Sequence, residues 1–266
     1  MLTFRFLIRG TPPTPPQVNL KAAYAILRTA PCAITLAFIT LGIPSAHAAP
    51  TAPNSIAGPR SHALASFDHP DALSACFIER GASQFTSISR DGLVWSPTAT
   101  NLCTLILASQ GTPLIPTDKT LATAFRLPTN GASFGIHLHG KSESAPSHLV
   151  LVSRTTADRG LIRVYRTPIW PSGTIAAKDQ LPSAQIRVPS FPASDWYRLV
   201  ITTQTNLSTA ETTLAIQLLA DTDGTRLASL DALDPGPALP GDGLVALRLF
   251  APALGRVDVR SLIGQP

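Results

Sequence analysis

Two histidines separated by one residue are the side chains of this sequence with the clearest capacity for chemistry. They end a segment, 133–139, in which apolar and polar positions alternate as they do along a half-buried β-strand. Because alternate side chains of a strand share a face, His137 and His139 are expected about 7 Å apart, near the reach of one metal ion. His148 or Asp158 would supply the third ligand from another strand. The alternative is that both histidines are half-exposed residues on the solvent face of a sheet.

A second predicted strand, Leu161–Arg166, adds arginine and aromatic side chains to this surface. Its apolar positions, Ile162 and Val164, are expected in the core, so the residues between them face outward. Aromatic rings stack on sugar rings, and a guanidinium donates planar hydrogen bonds to hydroxyl or carboxylate groups. Taken singly, these residues are also ordinary for a strand surface. If the two strands share one sheet, the predicted ligand-binding patch is His137, His139, Arg163, Tyr165 and, at its rim, Trp170.

The acidic residues give little support for catalysis. The sequence has three glutamates, Glu79, Glu143 and Glu211, and none has another carboxylate within four residues. The acid pairs that hydrolyse glycosides are therefore not visible as a local motif. For a hydrolase, the nearest carboxylates to the patch are Glu143 and Asp158, both in predicted loops. No metal site or cofactor is predicted, and calcium at 221–224 is only the alternative to a tight Asp/Gly turn.

Two cysteines follow the predicted leader segment, and they leave two alternatives open. Cys76 and Cys103 both lie in apolar runs typical of strands. In an oxidising compartment an even number of cysteines favours a disulfide, which would stabilise the fold by about 3 kcal/mol. Cysteine is also commonly buried as a free thiol.

The elements that must position these residues are short strands. Segments of alternating or continuous apolar residues recur from His62 to the C-terminus, separated by turns such as Asp91-Gly92 and Asn130-Gly131. A proline-rich stretch, 167–194, is expected to be a long surface excursion with one short strand, 184–188. About a dozen strands and almost no helix predict an all-β, two-sheet antiparallel jelly-roll sandwich.

Five pieces of the sequence follow one another in a recognisable order: Gly135-Ile136, 196–201, 214–224, 243–248 and 257–259. Their order resembles the concanavalin A-like jelly-roll superfamily, in particular laminin-G-like and 3-keto-disaccharide-hydrolase-type domains, over about residues 65–262. The resemblance implies a concave sheet that often binds sugars, with calcium sites in some members and added carboxylates in the catalytic ones. The Glu-x-Asp-x-x-Glu strand of the laminarinase-like members has no counterpart here.

The first 48 residues have the features of an export signal. A basic region with Lys21 and Arg28 precedes a short apolar run, 33–41, and Ala46-His47-Ala48 matches a small-x-small cleavage site. The apolar run is shorter than the ~20 residues that span a bilayer, so no membrane span is expected after processing. The alternative is an uncleaved N-terminal anchor. We predict a leader at 1–48, a Pro/Ala-rich linker at 49–61 and a β-sandwich domain at 62–266.

Charge argues against a nucleic-acid partner. The chain has 21 basic and 16 acidic residues, but four of the basic ones lie in the predicted leader, which leaves 17 against 16. No basic stripe of the kind that binds phosphate backbones is visible in the rest of the chain. The sequence predicts a periplasmic or secreted, non-catalytic carbohydrate-binding protein whose partner is a glycan or cell-envelope polysaccharide. The alternatives are a glycoside-acting hydrolase of the 3-keto-disaccharide-hydrolase type and a structural or adhesive envelope module.

Overall fold

The computed structural model describes residues 61–266 except 68, 70, 110, 115, 117–118, 172–174, 207 and 240–241. Within them two antiparallel β-sheets stack on each other. Sheet A contains β1 (His62–Ser66), β3 (Thr86–Ser89), β4 (Gly92–Trp95), β7 (Thr120–Arg126), β12 (Tyr197–Asn206), β13 (Glu211–Ala220), β14 (Arg226–Asp234) and β16 (Val257–Gln265). Sheet B contains β2 (Phe77–Gly81), β5 (Asn101–Ser109), β6 (Thr112–Pro113), β8 (Ser133–Gly140), β9 (Pro146–Arg154), β10 (Gly160–Pro168), β11 (Gln180–Val188) and β15 (Leu244–Ala251).

The predicted fold class is confirmed by this strand pairing. The order in sheet A is β14-β13-β12-β7-β16-β4-β3, with β1 on β16, and the order in sheet B is β11-β10-β9-β8-β15-β5-β2, with β6 on β5. The predicted Asp91-Gly92 hairpin joins β3 and β4, and Gly92 has a φ of +120°, which only glycine adopts readily. The described residues add one short helix, Ala72–Cys76, and the 3₁₀ turns Ser83–Phe85 and Ala177–Asp179.

Sheet A has one buried and one solvated face. In β7 buried and half-buried residues alternate, and the same period of two continues in β12 and β13. The buried set, which includes Leu121, Phe125 and Leu199, packs against sheet B in one large core. A sheet whose second face meets water is expected to alternate in this way.

Sheet B is buried on both faces through most of its centre. Every residue of β8 is buried, and its apolar side chains Phe134, Ile136 and Leu138 face the core, as predicted. The outer face of sheet B, meaning the face turned away from sheet A, is packed by residues 169–171 and 175–179, here called the covering segment. A Cβ on Gly140 would stand 2.7 Å from Cδ1 of Ile169, so this segment approaches the strand backbone closely.

Two further sequence expectations need correction. Trp196 opens a predicted strand next to a turn-rich segment, and the large area that a tryptophan buries favours a position between the sheets. In the structure it lies half-exposed on the outside of sheet A, where the Arg260 guanidinium stacks 3.9 Å from its ring centre. Trp95 is the fully buried tryptophan. The proline-rich stretch holds a longer strand than expected, β11, and its first part packs on sheet B instead of remaining a free excursion.

The two cysteines are free thiols in the structure and do not form the disulfide that was one of the alternatives. The strand register explains this. Cys103 of β5 pairs with Gly81 of β2, whereas Cys76 immediately precedes Phe77, which pairs with Leu107. At about 3.3 Å per residue the two positions are about 17 Å apart along the strands, and a disulfide needs Cα atoms within about 7 Å.

The predicted leader, 1–48, and all of the predicted linker before residue 61 lie outside the described residues. Among the residues that are described, no helix has the length and apolar character needed to cross a membrane.

Candidate functional site

The two histidines that the sequence places on one face lie on opposite faces of β8. His137 keeps the outward position, and its Nδ1 is 2.9 Å from the Ser147 hydroxyl. His139 has a φ of +61°, and the pairing of β8 with β15 shifts register next to it. Such a bulge rotates the following side chain out of the regular alternation. His139 consequently faces the interior, so the predicted shared face does not form.

His139 joins a buried polar chain that connects the two sheets. Its Nδ1 is 3.0 Å from Nδ1 of His148, and Nε2 of His148 is 2.7 Å from Oδ2 of Asp234 on β14. Arg166 donates to the same carboxylate oxygen at 2.8 Å. Because a carboxylate only accepts, Nε2 of His148 donates to Asp234, and the direction of the hydrogen bond between the two Nδ1 atoms depends on the tautomers of the histidines. These four side chains come from β8, β9, β10 and β14, so they link sheet B to sheet A.

Burial determines the charge of these groups. Loss of hydration lowers the pKa of His139 to about 4, with His148 as a secondary cause, and lowers the pKa of His137 to about 3, with Arg248 as a secondary cause. Burial alone would raise the pKa of Asp234, but the hydrogen bonds from His148 and the backbone of Gly236 outweigh it and lower that pKa. At neutral pH both histidines are uncharged.

The covering segment also removes two predicted site residues from solvent. His137 is fully buried, and Tyr165 packs with Leu149 and Leu151 beneath Ile175. Trp170 packs half-buried on a neighbouring apolar cluster. The predicted patch is therefore closed at this end of sheet B, and its aromatic side chains act as a second small core.

The next row along the outer face of sheet B holds three arginines, of which the one on β15 is buried. β10 brings Arg163 to this row opposite Gln185 of β11, and β15 brings Arg248. Arg80, at the far end, is held by Glu143 through two hydrogen bonds of 2.9 and 3.0 Å. Arg163 remains half-exposed, and it is the predicted site residue that keeps a charged group at the open surface.

An open groove of about 450 Å³ lies beside Arg163, where the turn between β9 and β10 meets the end of β11. Leu161 forms part of its wall and pairs directly with Arg187 of β11. Both residues occupy the face of Arg163, because side chains two positions apart on a strand share a face. The other side chains that line it include Thr155, Thr156, Arg159 and Val188.

Sequence reasoning missed Arg187, Arg159 and the threonines of the 155–160 turn. Arg187 could have been found from the alternation in Gln185-Ile186-Arg187, had the partner strand and register of β11 been known. The turn residues carry no recognisable motif. They line the groove because the β9–β10 turn lies next to the end of β11 at the edge of sheet B.

The carboxylates considered for catalysis do not form a pair. Glu143 lies in the loop before β9 and binds Arg80, whereas Asp158 lies in the loop after β9, exposed, with its carboxylate accepting a bond from Thr156. The nine residues of β9 separate them by about 26 Å, far more than the ~5–10 Å between the two carboxyls of a glycoside hydrolase. Across the described residues, no group of three or more His, Cys, Asp or Glu side chains is arranged to hold a metal ion.

Comparisons with known proteins find similarity of structure only. No protein-family model and no curated protein matches the sequence. Among solved structures, lectin II from Ulex europaeus is 15% identical, covering 77% of this chain and 97% of its own, with a TM-score of 0.48. The Crh5 transglycosylase is 13% identical, covering 78% and 85%, with a TM-score of 0.49. The alginate lyase Aly36B is 14% identical, covering 79% and 98%, with a TM-score of 0.46.

These similar structures carry different activities at low identity. One is a lectin, one a transglycosylase and one a lyase. A fold does not by itself determine a function. The function of this chain has to be argued from its own open surface.

Proposed function

We propose that this chain is an exported, non-catalytic carbohydrate-binding protein that acts in the periplasm or outside the cell. The binding surface is the groove at the end of β10 and β11, a short distance along the same sheet face from the patch expected from sequence. Arg163 of the expected patch stands next to the groove on this face, and Arg187, its diagonal neighbour, lines the groove. The leader-like pattern at 1–48 supports the export part of the proposal.

The observation that carries the proposal is the composition of the open groove. It combines planar donors from Arg159 and Arg187, hydroxyls from Thr155 and Thr156, and an apolar wall from Leu161. Sugar rings present hydroxyls around their edge and C–H groups on their faces, so a ligand of this kind needs both polar and apolar contacts. The groove is open rather than deep, which suits a polymer that enters and leaves along its length.

The absence of paired acid groups near this groove supports binding without hydrolysis. Asp158 is the nearest carboxylate in the sequence, and Glu143, its former candidate partner, lies beyond the opposite end of β9. The hydrolase and adhesive alternatives gain no specific observation from the groove.

A glycan array probed with the full chain tests the proposal, with Leu161→Asn as the variant. We expect wild type to bind at least one glycan and the variant to bind about tenfold more weakly, since an apolar contact worth about 1.4 kcal/mol is lost. Leu233→Asn is the matched control, because Leu233 is an exposed leucine on β14 of the other sheet. Binding by no glycan, or equal loss in both variants, contradicts the proposal. Release of reducing sugar from a bound glycan contradicts its non-catalytic part.

A further inference from the structure

Resting on the proposed function, we infer that the ligand of the groove is an anionic saccharide, one that carries carboxylate or sulfate groups. The inference concerns the substrate class and adds Arg163 and Arg187 as the residues that select it. Three independent features of the outer face of sheet B lead to it.

The first feature is the distribution of charge on the sheet. The described strands of sheet B contain one carboxylate, Glu79, and its backbone pairs with Leu105, which belongs to the core-facing row. The charged side chains that these strands place on the outer face are all arginines, of which Arg80 is paired with Glu143, Arg248 is buried, and Arg163 and Arg187 remain. After the predicted leader the chain is nearly neutral, with 17 basic and 16 acidic residues, so this positive face is a local pattern and not an overall charge excess.

The second feature is the spacing of two arginines that no protein carboxylate neutralises. Arg163 pairs with Gln185, and Arg187 pairs with Leu161, so the two arginines are diagonal neighbours about 7–8 Å apart at their backbones. Neither forms an ion pair within the described part of the chain. Like-charged side chains on diagonal positions of one face repel each other, and a bound anion between them would offset that repulsion.

The third feature is an unused donor. The Nε–H of Arg163 is buried and has no hydrogen-bond partner among the described residues. A buried donor without an acceptor costs about 1–3 kcal/mol, and here it shows that no acceptor of the described residues holds the guanidinium, so the outer N–H groups of the half-exposed side chain are the ones that a ligand can meet. A carboxylate or sulfate oxygen accepts strongly from a guanidinium and can take two of its N–H groups at once. A neutral hydroxyl gives a weaker bond and leaves the charge unbalanced.

Titration calorimetry with three oligosaccharide probes tests the inference on the full chain. The probes are oligogalacturonate for carboxylate, sulfated dextran oligosaccharide for sulfate, and unmodified dextran oligosaccharide as the neutral reference. Arg163→Gln and Arg187→Gln keep polarity but remove charge. Arg90→Gln is the matched control, since Arg90 is an exposed arginine in the β3–β4 turn at the far edge of sheet A.

We expect one of the two anionic probes to bind at least tenfold more tightly than the neutral probe, and the probe that binds identifies carboxylate or sulfate as the recognised group. Each groove variant should weaken that binding about tenfold, and Arg90→Gln should leave it unchanged. Raising NaCl from about 0.05 M to about 0.5 M should weaken binding of the anionic probe only.

Other outcomes separate this inference from the proposed function. Equal affinity for neutral and anionic probes overturns the inference while the carbohydrate-binding proposal stands. Equal weakening by Arg90→Gln also overturns it, because the attraction would then be to net charge and not to the groove. If neither these probes nor any arrayed glycan binds, both proposals fail.

Discussion

The outer face of sheet A holds four arginines in ion pairs, whereas the outer face of sheet B has two arginines at or beside an open groove that form none within the described residues. On sheet A, Arg126 and Arg256 bind Asp258, and Arg198 and Arg260 bind Asp221. Trp196 lies against two of these guanidinium groups, Arg126 at 5.0 Å and Arg260 at 3.9 Å. On sheet B, Arg163 and Arg187 have no such partner within the described residues.

The difference separates arginines that stabilise the fold from arginines available to a ligand. If a guanidinium moves away from a buried carboxylate such as Asp258, the carboxylate charge is left buried without a partner. A guanidinium beside an open groove costs the fold little when it turns to an external anion. These two kinds of arginine differ in whether a carboxylate lies next to them, which the residue type alone does not reveal.

Acidification should have the largest effect on stability, and this effect should come from sheet B. The buried histidines lie in sheet B, and the pKa of His139 is lowered to about 4 and that of His137 to about 3. Between pH 6.5 and 4 these two imidazoles bind protons in the unfolded chain but stay unprotonated in the folded protein. The free energy of unfolding therefore decreases as the pH falls. The loss is on the order of 3 kcal/mol for each histidine by pH 4.

Urea unfolding at pH 7, 5.5 and 4.5 measures this loss. The variant His139→Gln should flatten part of the pH dependence, whereas His69→Gln, which changes an exposed histidine, should not. A wild-type unfolding free energy that is constant from pH 7 to 4.5 would contradict the assignment of neutral buried imidazoles.

Removing the carboxylate at the centre of the sheet A cluster should have the next largest effect. Asp258 is 1% exposed and receives hydrogen bonds from Arg126 and Arg256. We expect Asp258→Asn to lower the free energy of unfolding by about 3 kcal/mol, because two guanidinium groups lose their counter-charge. Chemical denaturation at pH 7 measures it, and Asp231→Asn, on the exposed side of β14, should change stability by less than about 0.5 kcal/mol. Equal losses in the two variants would mean that the ion pairs of Asp258 do not contribute to the free energy of unfolding.

The smallest effects should come from removing one arginine from each face. Arg126→Gln should cost about 1–2 kcal/mol, since Arg126 bonds to buried Asp258 at 2.7 and 2.9 Å. Arg163→Gln should cost less than about 0.5 kcal/mol at pH 7, because no ion pair is broken. Paired thermal or urea unfolding curves make the comparison. A larger loss from Arg163→Gln would show that its guanidinium is a structural group after all.

Local pattern was enough to predict the sandwich and the orientation of its central strands. The alternation through Phe134, Ile136 and Leu138 predicted the core face of β8, and Ile162 and Val164 did the same for β10. These predictions need only the period of two and the burial of apolar side chains. The number of strands and the length of β11 depended on pairing partners and were underestimated.

The composition of the site was less predictable because it depends on contacts between distant segments. The bulge that turns His139 inward has no local signature, since neither glycine nor asparagine marks its positive φ. Ile169 and Ile175 cover the outer face from a proline-rich loop, which composition alone assigns to the surface. Arg163 was found because its own strand alternates regularly, and Arg187 was missed because it matters only through the pairing of β11 with β10.

The polar chain around Asp234 constrains how far the two layers can slide across each other. Apolar contacts have no preferred direction, so they alone would tolerate small offsets between stacked sheets. Hydrogen bonds of 2.7 Å from His148 and 2.8 Å from Arg166 to one oxygen of Asp234 weaken steeply when displaced or bent. Arg166 and Arg163 belong to the same strand, β10. The hydrogen bonds to Asp234 therefore also fix the position of the groove beside β10 relative to sheet A.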